Sequence, residues 1–284
     1  MARSGPIDST SERFSHLPDR VFNLESQTFR NRDCLGQEFQ PNAGPVDATF
    51  CNVVIFPDGD AQVTGCHRPV AAGRVRAKAS EDEKAKTEAD RARRELLTVC
   101  KYYRLDHMWT ATYRGAMKNR QRLYRDLHKF ERIVRKTYPQ FRQVGVPEVH
   151  HGGGVNDGGY HYHFGVNGFY EVEVLRSAWW TVVGEAMGNV QVESRCTQTT
   201  RAVALYLVKY MVKEFKLGNR LKGEHRYRRS HGLDVPVIKK RFYGGRAQER
   251  EKALRVYLTM VTGKPVAFEW RSEDGLQFML RTFR

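Results

Sequence analysis

Two segments carry side chains whose types and spacing could do chemistry: Tyr160-His161-Tyr162-His163-Phe164, and Tyr206-Leu207-Val208-Lys209-Tyr210-Met211-Val212-Lys213. In the first, the two-residue period of a strand puts His161 and His163 on one face, and Tyr160, Tyr162 and Phe164 on the other. Two imidazoles so placed can chelate a divalent cation. Glu148 ends the preceding strand, and pairing across a Gly-rich hairpin brings its carboxylate beside them. Two imidazoles and one carboxylate leave coordination positions open for a phosphate. His150 and His151, in the intervening loop, are rival ligands.

The second segment reads YxxK twice in succession. At about 100° per residue, Tyr206, Tyr210, Lys209 and Lys213 fall within one side of a helix. Ala204, Val208, Met211 and Phe215 fall on the opposite side, with Leu205 and Val212 widening that apolar stripe. A tyrosine hydroxyl is a sluggish nucleophile at neutral pH and needs an electrophile already polarised, such as a phosphate on the His-Glu metal. Lysines one turn away can neutralise phosphate oxygens or the developing phenolate, and two Tyr-Lys sets allow two sequential strand transfers. Read alone, the helix is also compatible with tyrosines and lysines lying at the edge of a core.

The elements that must position these residues follow from periodicity. Residues 108–113 predict a strand, and Leu123, Leu127, Phe130 and Val134 predict a helix that stops before Pro139. Strands follow over 141–149 and 160–166, joined by a loop holding Gly152, Gly153, Gly154, Gly158 and Gly159. A helix burying Leu175, Ala178, Trp179, Val182, Val183 and Ala186 precedes a strand over 189–193, and Thr199 or Thr200 caps the tyrosine helix. The order predicts an α+β fold: a central antiparallel sheet of the split β-α-β-β-α-β type flanked by helices, with one helix appended.

The core carrying both segments spans 105–217. Around it, residues 1–45 are polar and predict a mobile arm. Residues 46–104 predict a hairpin around Pro57-Asp58-Gly59-Asp60, then a long charged helix opened by a Ser80/Glu83 capping box. Residues 218–284 form a basic extension in which Arg220, Lys222, Arg226, Arg228, Arg229, Lys239, Lys240 and Arg241 interleave with Tyr227 and Tyr243. That pattern suits phosphate contacts and base stacking, or simply a solvated charged surface.

Of the 284 residues, 48 are Lys or Arg and 32 are Asp or Glu; the excess of 16 positive charges, spread along the chain, points to a polyanionic partner. Five scattered cysteines without a CxxC pair, and no hydrophobic leader, suit a reducing cytoplasm, and Cys51 with Cys66-His67 has the wrong spacing for zinc. No apolar stretch is long enough to span a bilayer. No Walker loop occurs, since Gly263-Lys264 lacks the upstream glycine, so unwinding falls to a separate helicase.

Over about residues 108–213 the sequence resembles the HUH superfamily of replication initiators of single-stranded DNA phages and rolling-circle plasmids, in its two-tyrosine branch. The resemblance rests on the strand Trp109-Thr110-Ala111-Thr112-Tyr113, on His161-Tyr162-His163 with Glu148 upstream, and on Tyr206-x-x-Lys209-Tyr210 downstream. Tyr206 follows His163 by 43 residues, an order that favours the initiators over the relaxases. Two positions depart from the family pattern: Tyr162 stands where a simple hydrophobe is usual, and Ala111 where a larger apolar residue is usual. The resemblance implies that the core nicks and joins DNA, with Mg²⁺ or Mn²⁺ held by His161, His163 and Glu148. It further implies a 5′-phosphotyrosine on Tyr206 or Tyr210 and a freed 3′-hydroxyl that primes synthesis. The expected partners are single-stranded DNA at a replication origin, met by Thr110, Thr112, Arg226 and Arg228, and the replication machinery of a bacterial host. Two other classes remain open: a non-catalytic single-strand-binding replication protein, and a metallohydrolase in which the His pair and Glu148 activate water.

Overall fold

The computed structural model describes residues 48–68, 80–151, 153–192, 199–216, 227–273 and 275–284. In chain order the elements are β1 (Ala48–Ile55), β2 (Ala61–Arg68), α1 (Glu81–Tyr102), β3 (His107–Tyr113), α2 (Arg120–Thr137), β4 (Gln143–Val149), β5 (Tyr160–Val166), α3 (Val172–Val183), β6 (Gly188–Val192), α4 (Thr200–Lys216), β7 (Arg228–Arg229), β8 (Ile238–Tyr243), α5 (Ala247–Thr262), β9 (Phe268–Arg271) and β10 (Gln277–Arg281). They build two antiparallel five-stranded sheets, and the chain divides into two units: residues 54–61 with 73–238, and residues 1–53, 62–72 and 239–284. The mixed α+β class expected from the periodicity is the one observed.

In the larger unit the strand order is β6-β3-β5-β4-β7, the split β-α-β-β-α-β arrangement extended at one edge by β7. Strand alternation divides the side chains between two faces. Trp109, Ala111 and Tyr113 of β3 and Tyr162, Phe164 and Val166 of β5 join one core with Leu123, Leu127, Phe130 and Val134 of α2 and with Leu175 and Trp179 of α3. Phe130 is its hub, edge-on to Phe141, Phe164 and Trp179 at 6.3, 6.1 and 5.7 Å. The intervening residues Met108, Val144 and Val146 face the other way, into a second core with Leu96, Val99 and Cys100 of α1 and Val203, Ala204, Leu207, Val208 and Met211 of α4.

Gly165 sets how closely α4 approaches. A Cβ there would stand 2.6 Å from Cγ1 of Val203, so the missing side chain is what lets the helix lie on β5. The buried arc of α4 differs from the predicted stripe: Leu207 is fully buried and Leu205 is 40% exposed. The helix meets both the sheet and α1, so its contact arc is turned towards Leu207 and away from Leu205. Ala186, expected on the buried side of α3, lies past its end, because the helix stops at Gly184. Thr199 caps α4 as expected, its hydroxyl accepting from the Ala202 amide at 3.1 Å. Residues 1–45 and the side chain of Glu83 in the capping box lie outside the described residues.

The smaller unit joins the N-terminal hairpin to the C-terminal strands in one sheet, ordered β8-β1-β2-β10-β9, with α5 on one face. A buried polar chain ties that face together. His67 pairs through Nδ1 with the Thr49 hydroxyl at 2.8 Å and through Nε2 with Glu251 Oε1 at 2.7 Å, and Arg271 closes on the same carboxylate. Glu251 is 3% exposed. Removing one member of a buried pair strands its partner, so Glu251→Ala is expected to cost about 3–5 kcal/mol. Urea unfolding of that variant checks this; an unchanged midpoint would show the pair to be dispensable.

Candidate functional site

Directly opposed residues of antiparallel strands share a face. Glu148 of β4 stands opposite His161 of β5, and Thr110 of β3 opposite His163. All four therefore gather on the α4 side of the sheet, as the His-x-His alternation and the hairpin together predict for three of them.

His163 is held at both nitrogens, with Nδ1 2.8 Å from the Thr110 hydroxyl and Nε2 2.7 Å from Glu148 Oε2. Lys213 of α4 donates to the other carboxylate oxygen, Oε1. His163 and Glu148 are 5% and 6% exposed. Burial by itself would raise the Glu148 pKa, but the hydrogen bonds from His163 and Lys213 outweigh it and hold the carboxyl below its usual range. Burial, reinforced by the neighbouring His163, pushes the His161 imidazole below its usual value, which favours the neutral ring. Its Nε2 is buried without a hydrogen-bond partner.

Across from this cluster, α4 presents its tyrosines. The Tyr210 ring stacks face to face on His163, centroids 3.9 Å apart and planes 12° from parallel. Tyr206 meets Tyr210 edge-on at 4.9 Å, and the two hydroxyls are 2.7 Å apart, Tyr210 donating to Tyr206. Lys209 Nζ lies 5.9 and 5.7 Å from the two ring centroids. Both tyrosines are half-buried and pack against the second core, so the predicted Tyr-Lys side of the helix faces the sheet as much as solvent.

The structure thus brings Glu148, His161, His163, Tyr206, Tyr210, Lys209 and Lys213 together. It adds Thr110, expected as a DNA contact, as the buried hydroxyl bonded to His163. Thr112 is half-buried on the same strand, its hydroxyl 3.4 Å from the Asn189 carbonyl. Arg228 lies on the opposite face of the sheet, over the Tyr124 ring of α2 at 5.3 Å. Arg226 lies outside the described residues. Of the rival ligands, the His150 ring is 5.1 Å from that of His161, and His151 is exposed. Tyr227 packs into the second core. The Thr110-His163 and Lys213-Glu148 bonds escaped sequence reasoning because both depend on register and helix docking, which leave no mark in local spacing.

Two imidazoles and a carboxylate are the donor set of a hard or borderline divalent ion that keeps positions for a second ligand. The unsatisfied Nε2 of His161, buried among them, fits that use, since a bound cation would satisfy it. Among the described residues no three His, Cys, Asp or Glu side chains already converge as a formed metal site. Here the Glu148 carboxylate is closed onto His163 and Lys213.

The fold and this cluster define an α+β protein whose antiparallel sheet offers a His-His-Glu set to a helix bearing two adjacent tyrosines. Residues 106–215 match the family model of the replication-associated proteins of the ORF2 and gene II protein type, and every residue of the cluster lies within that stretch. The similarity is to proteins of DNA replication and covers this part of the chain. No curated protein and no solved structure matches it.

Proposed function

We propose that the protein nicks and rejoins single-stranded DNA at a replication origin, as in rolling-circle initiation, through a covalent 5′-phosphotyrosine. The observation that carries this reading is the stack of Tyr210 on His163, with its hydroxyl bonded to that of Tyr206. A structural tyrosine pair at a core edge has no need of a histidine and carboxylate cluster under its rings.

Glu148, His161 and His163 would hold Mg²⁺ or Mn²⁺, which when bound supplies Lewis acidity to a phosphate oxygen. The chain's own residues do the rest. Tyr206 Oη attacks phosphorus; the Oη–P bond forms, the P–O3′ bond breaks, the hydroxyl proton is lost and the 3′-oxygen leaves as a hydroxyl. One phosphodiester replaces another, so the bond energy is conserved in the adduct and the reverse reaction rejoins the strand. The Tyr210 hydroxyl, donating to Tyr206, stabilises phenolate character on that oxygen and favours Tyr206 as the first nucleophile. Lys209 adds positive charge beside both rings. Tyr210, one turn further on, serves the second transfer.

The test is incubation of the full-length protein with a labelled single-stranded origin oligonucleotide and Mg²⁺ or Mn²⁺, followed by denaturing electrophoresis. A labelled band that survives denaturant and is lost on proteolysis is expected. Cleavage with free products and no adduct would favour a water-activating metallohydrolase. Neither adduct nor cleavage with any metal would favour a binding protein. No helix of the described residues is long and apolar enough to cross a membrane.

A further inference from the structure

The sheet of the smaller unit is covered by α5 on one face only, and the chemistry of its two faces differs. The helix face takes the carboxylates: Glu251 bonds His67 and Arg271, and Glu269 pairs with Arg255 of α5. On the other face the register β2-β10-β9 aligns Thr64, Met279 and Trp270 in one row, and Gln62, Arg281 and Phe268 in the next. Trp270 is 42% and Phe268 37% exposed, although both stand on a strand. The Arg281 guanidinium lies over the Phe268 ring at 5.2 Å. At the opposite edge, Lys239 and Arg241 of β8 are exposed, with Arg241 over Phe50 at 5.5 Å. A hollow of about 380 Å³ opens between them, lined by Phe50, Asn52, Thr64, Lys239, Arg241 and Gln277. Among the described residues the strands place no carboxylate on this face.

We infer that this face is a second DNA site, a platform that holds single-stranded DNA away from the tyrosine cluster by stacking bases on Trp270 and Phe268 and pairing phosphates with Lys239, Arg241 and Arg281. Exposed aromatics on a flat antiparallel sheet give every base a π-face to stack on, and cations at its edges track the backbone, so binding does not depend on sequence. A duplex keeps its bases stacked inside and offers such aromatics nothing. The hollow falls within the range of about 300–1,000 Å³ usual for ligand clefts. The choice of DNA over other single strands rests on the nicking reading above; the platform's geometry does not.

The experiment uses the full chain and a labelled oligothymidylate, with EDTA present so that no strand transfer occurs. The double variant Trp270→Ala/Arg241→Glu is expected to bind about tenfold more weakly by fluorescence anisotropy. Its dependence of log affinity on log salt should be shallower by about 0.7 for the lost phosphate contact. Adduct formation at saturating protein should proceed at the wild-type rate, which separates failure of this proposal from failure of the nicking reading. A second readout needs no disruptive change: oligothymidylate should quench tryptophan fluorescence in the wild type but much less in Trp270→Phe, because Trp109 and Trp179 are fully buried. Unchanged affinity, salt slope and quenching would overturn the platform, as would a loss confined to duplex DNA.

Discussion

Replacing Tyr206 and Tyr210 together by Phe is expected to abolish the covalent protein–DNA adduct, lowering its rate by on the order of 10⁶, the scale set by removal of a nucleophile in other covalent catalysts. Phe keeps what the rings contribute to packing: the stack on His163 at 3.9 Å and the edge-on contact at 4.9 Å do not involve the hydroxyls. Only the nucleophilic oxygens and their mutual hydrogen bond are lost, so fold and DNA affinity should survive. The single variants separate the roles. Tyr206→Phe should lose most of the first transfer. Tyr210→Phe should retain a first transfer slowed about tenfold, the worth of one hydrogen bond to a developing charge, and should fail to complete repeated cycles. Denaturing gels with a labelled origin oligonucleotide read the first step, and release of closed circles reads the second. Normal cycling by Tyr210→Phe would make that residue structural and leave Tyr206 as the nucleophile.

The second large effect is expected at the histidines. His163→Ala removes a ring that touches Thr110, Glu148 and Tyr210 at once, and His161→Ala removes the unpartnered buried nitrogen. Each should lower nicking by on the order of 10³ or more, since Lewis-acid stabilisation of a transferring phosphate is worth several kcal/mol. Affinity for single-stranded DNA, measured in EDTA, should stay near the wild-type value. Thr110→Val probes the same centre more gently. A threonine hydroxyl can donate to Nδ1 or accept from it, so it serves the imidazole whichever nitrogen carries the proton. Valine keeps the shape and loses both options, with an expected loss of about 10–100-fold in activity or in the metal concentration needed. Retained nicking in both histidine variants would remove the metal assignment and leave the tyrosines to act without it.

The chemistry-bearing residues were legible before the fold because their spacing is tied to local geometry. Alternation over Tyr160 to Phe164 put both histidines on one side of a strand, and the helical period put Tyr206 and Tyr210 one turn apart. The split β-α-β-β-α-β order was legible for the same reason, since each element announces itself by its own period. The second sheet was not. Its strands come from opposite ends of the chain, and nothing local in Phe268-Glu269-Trp270-Arg271 says that β10 will pair with β2. The charged stretch from Lys239 to Arg241 read equally well as a solvated surface until the sheet set it beside Phe50 on a face without carboxylates.

What the sequence by itself determined about this protein is the inventory of its site: two imidazoles in phase on a strand, a carboxylate one hairpin away, and two tyrosines with lysines on a helix. What only the tertiary structure decided is who touches whom. Register put Glu148 opposite His161 and Thr110 opposite His163, and the bare Cα of Gly165 let α4 settle until Tyr210 lay flat on His163. Local periods specify directions within one element. Distances between elements follow from packing, which sums contacts from residues far apart in the chain.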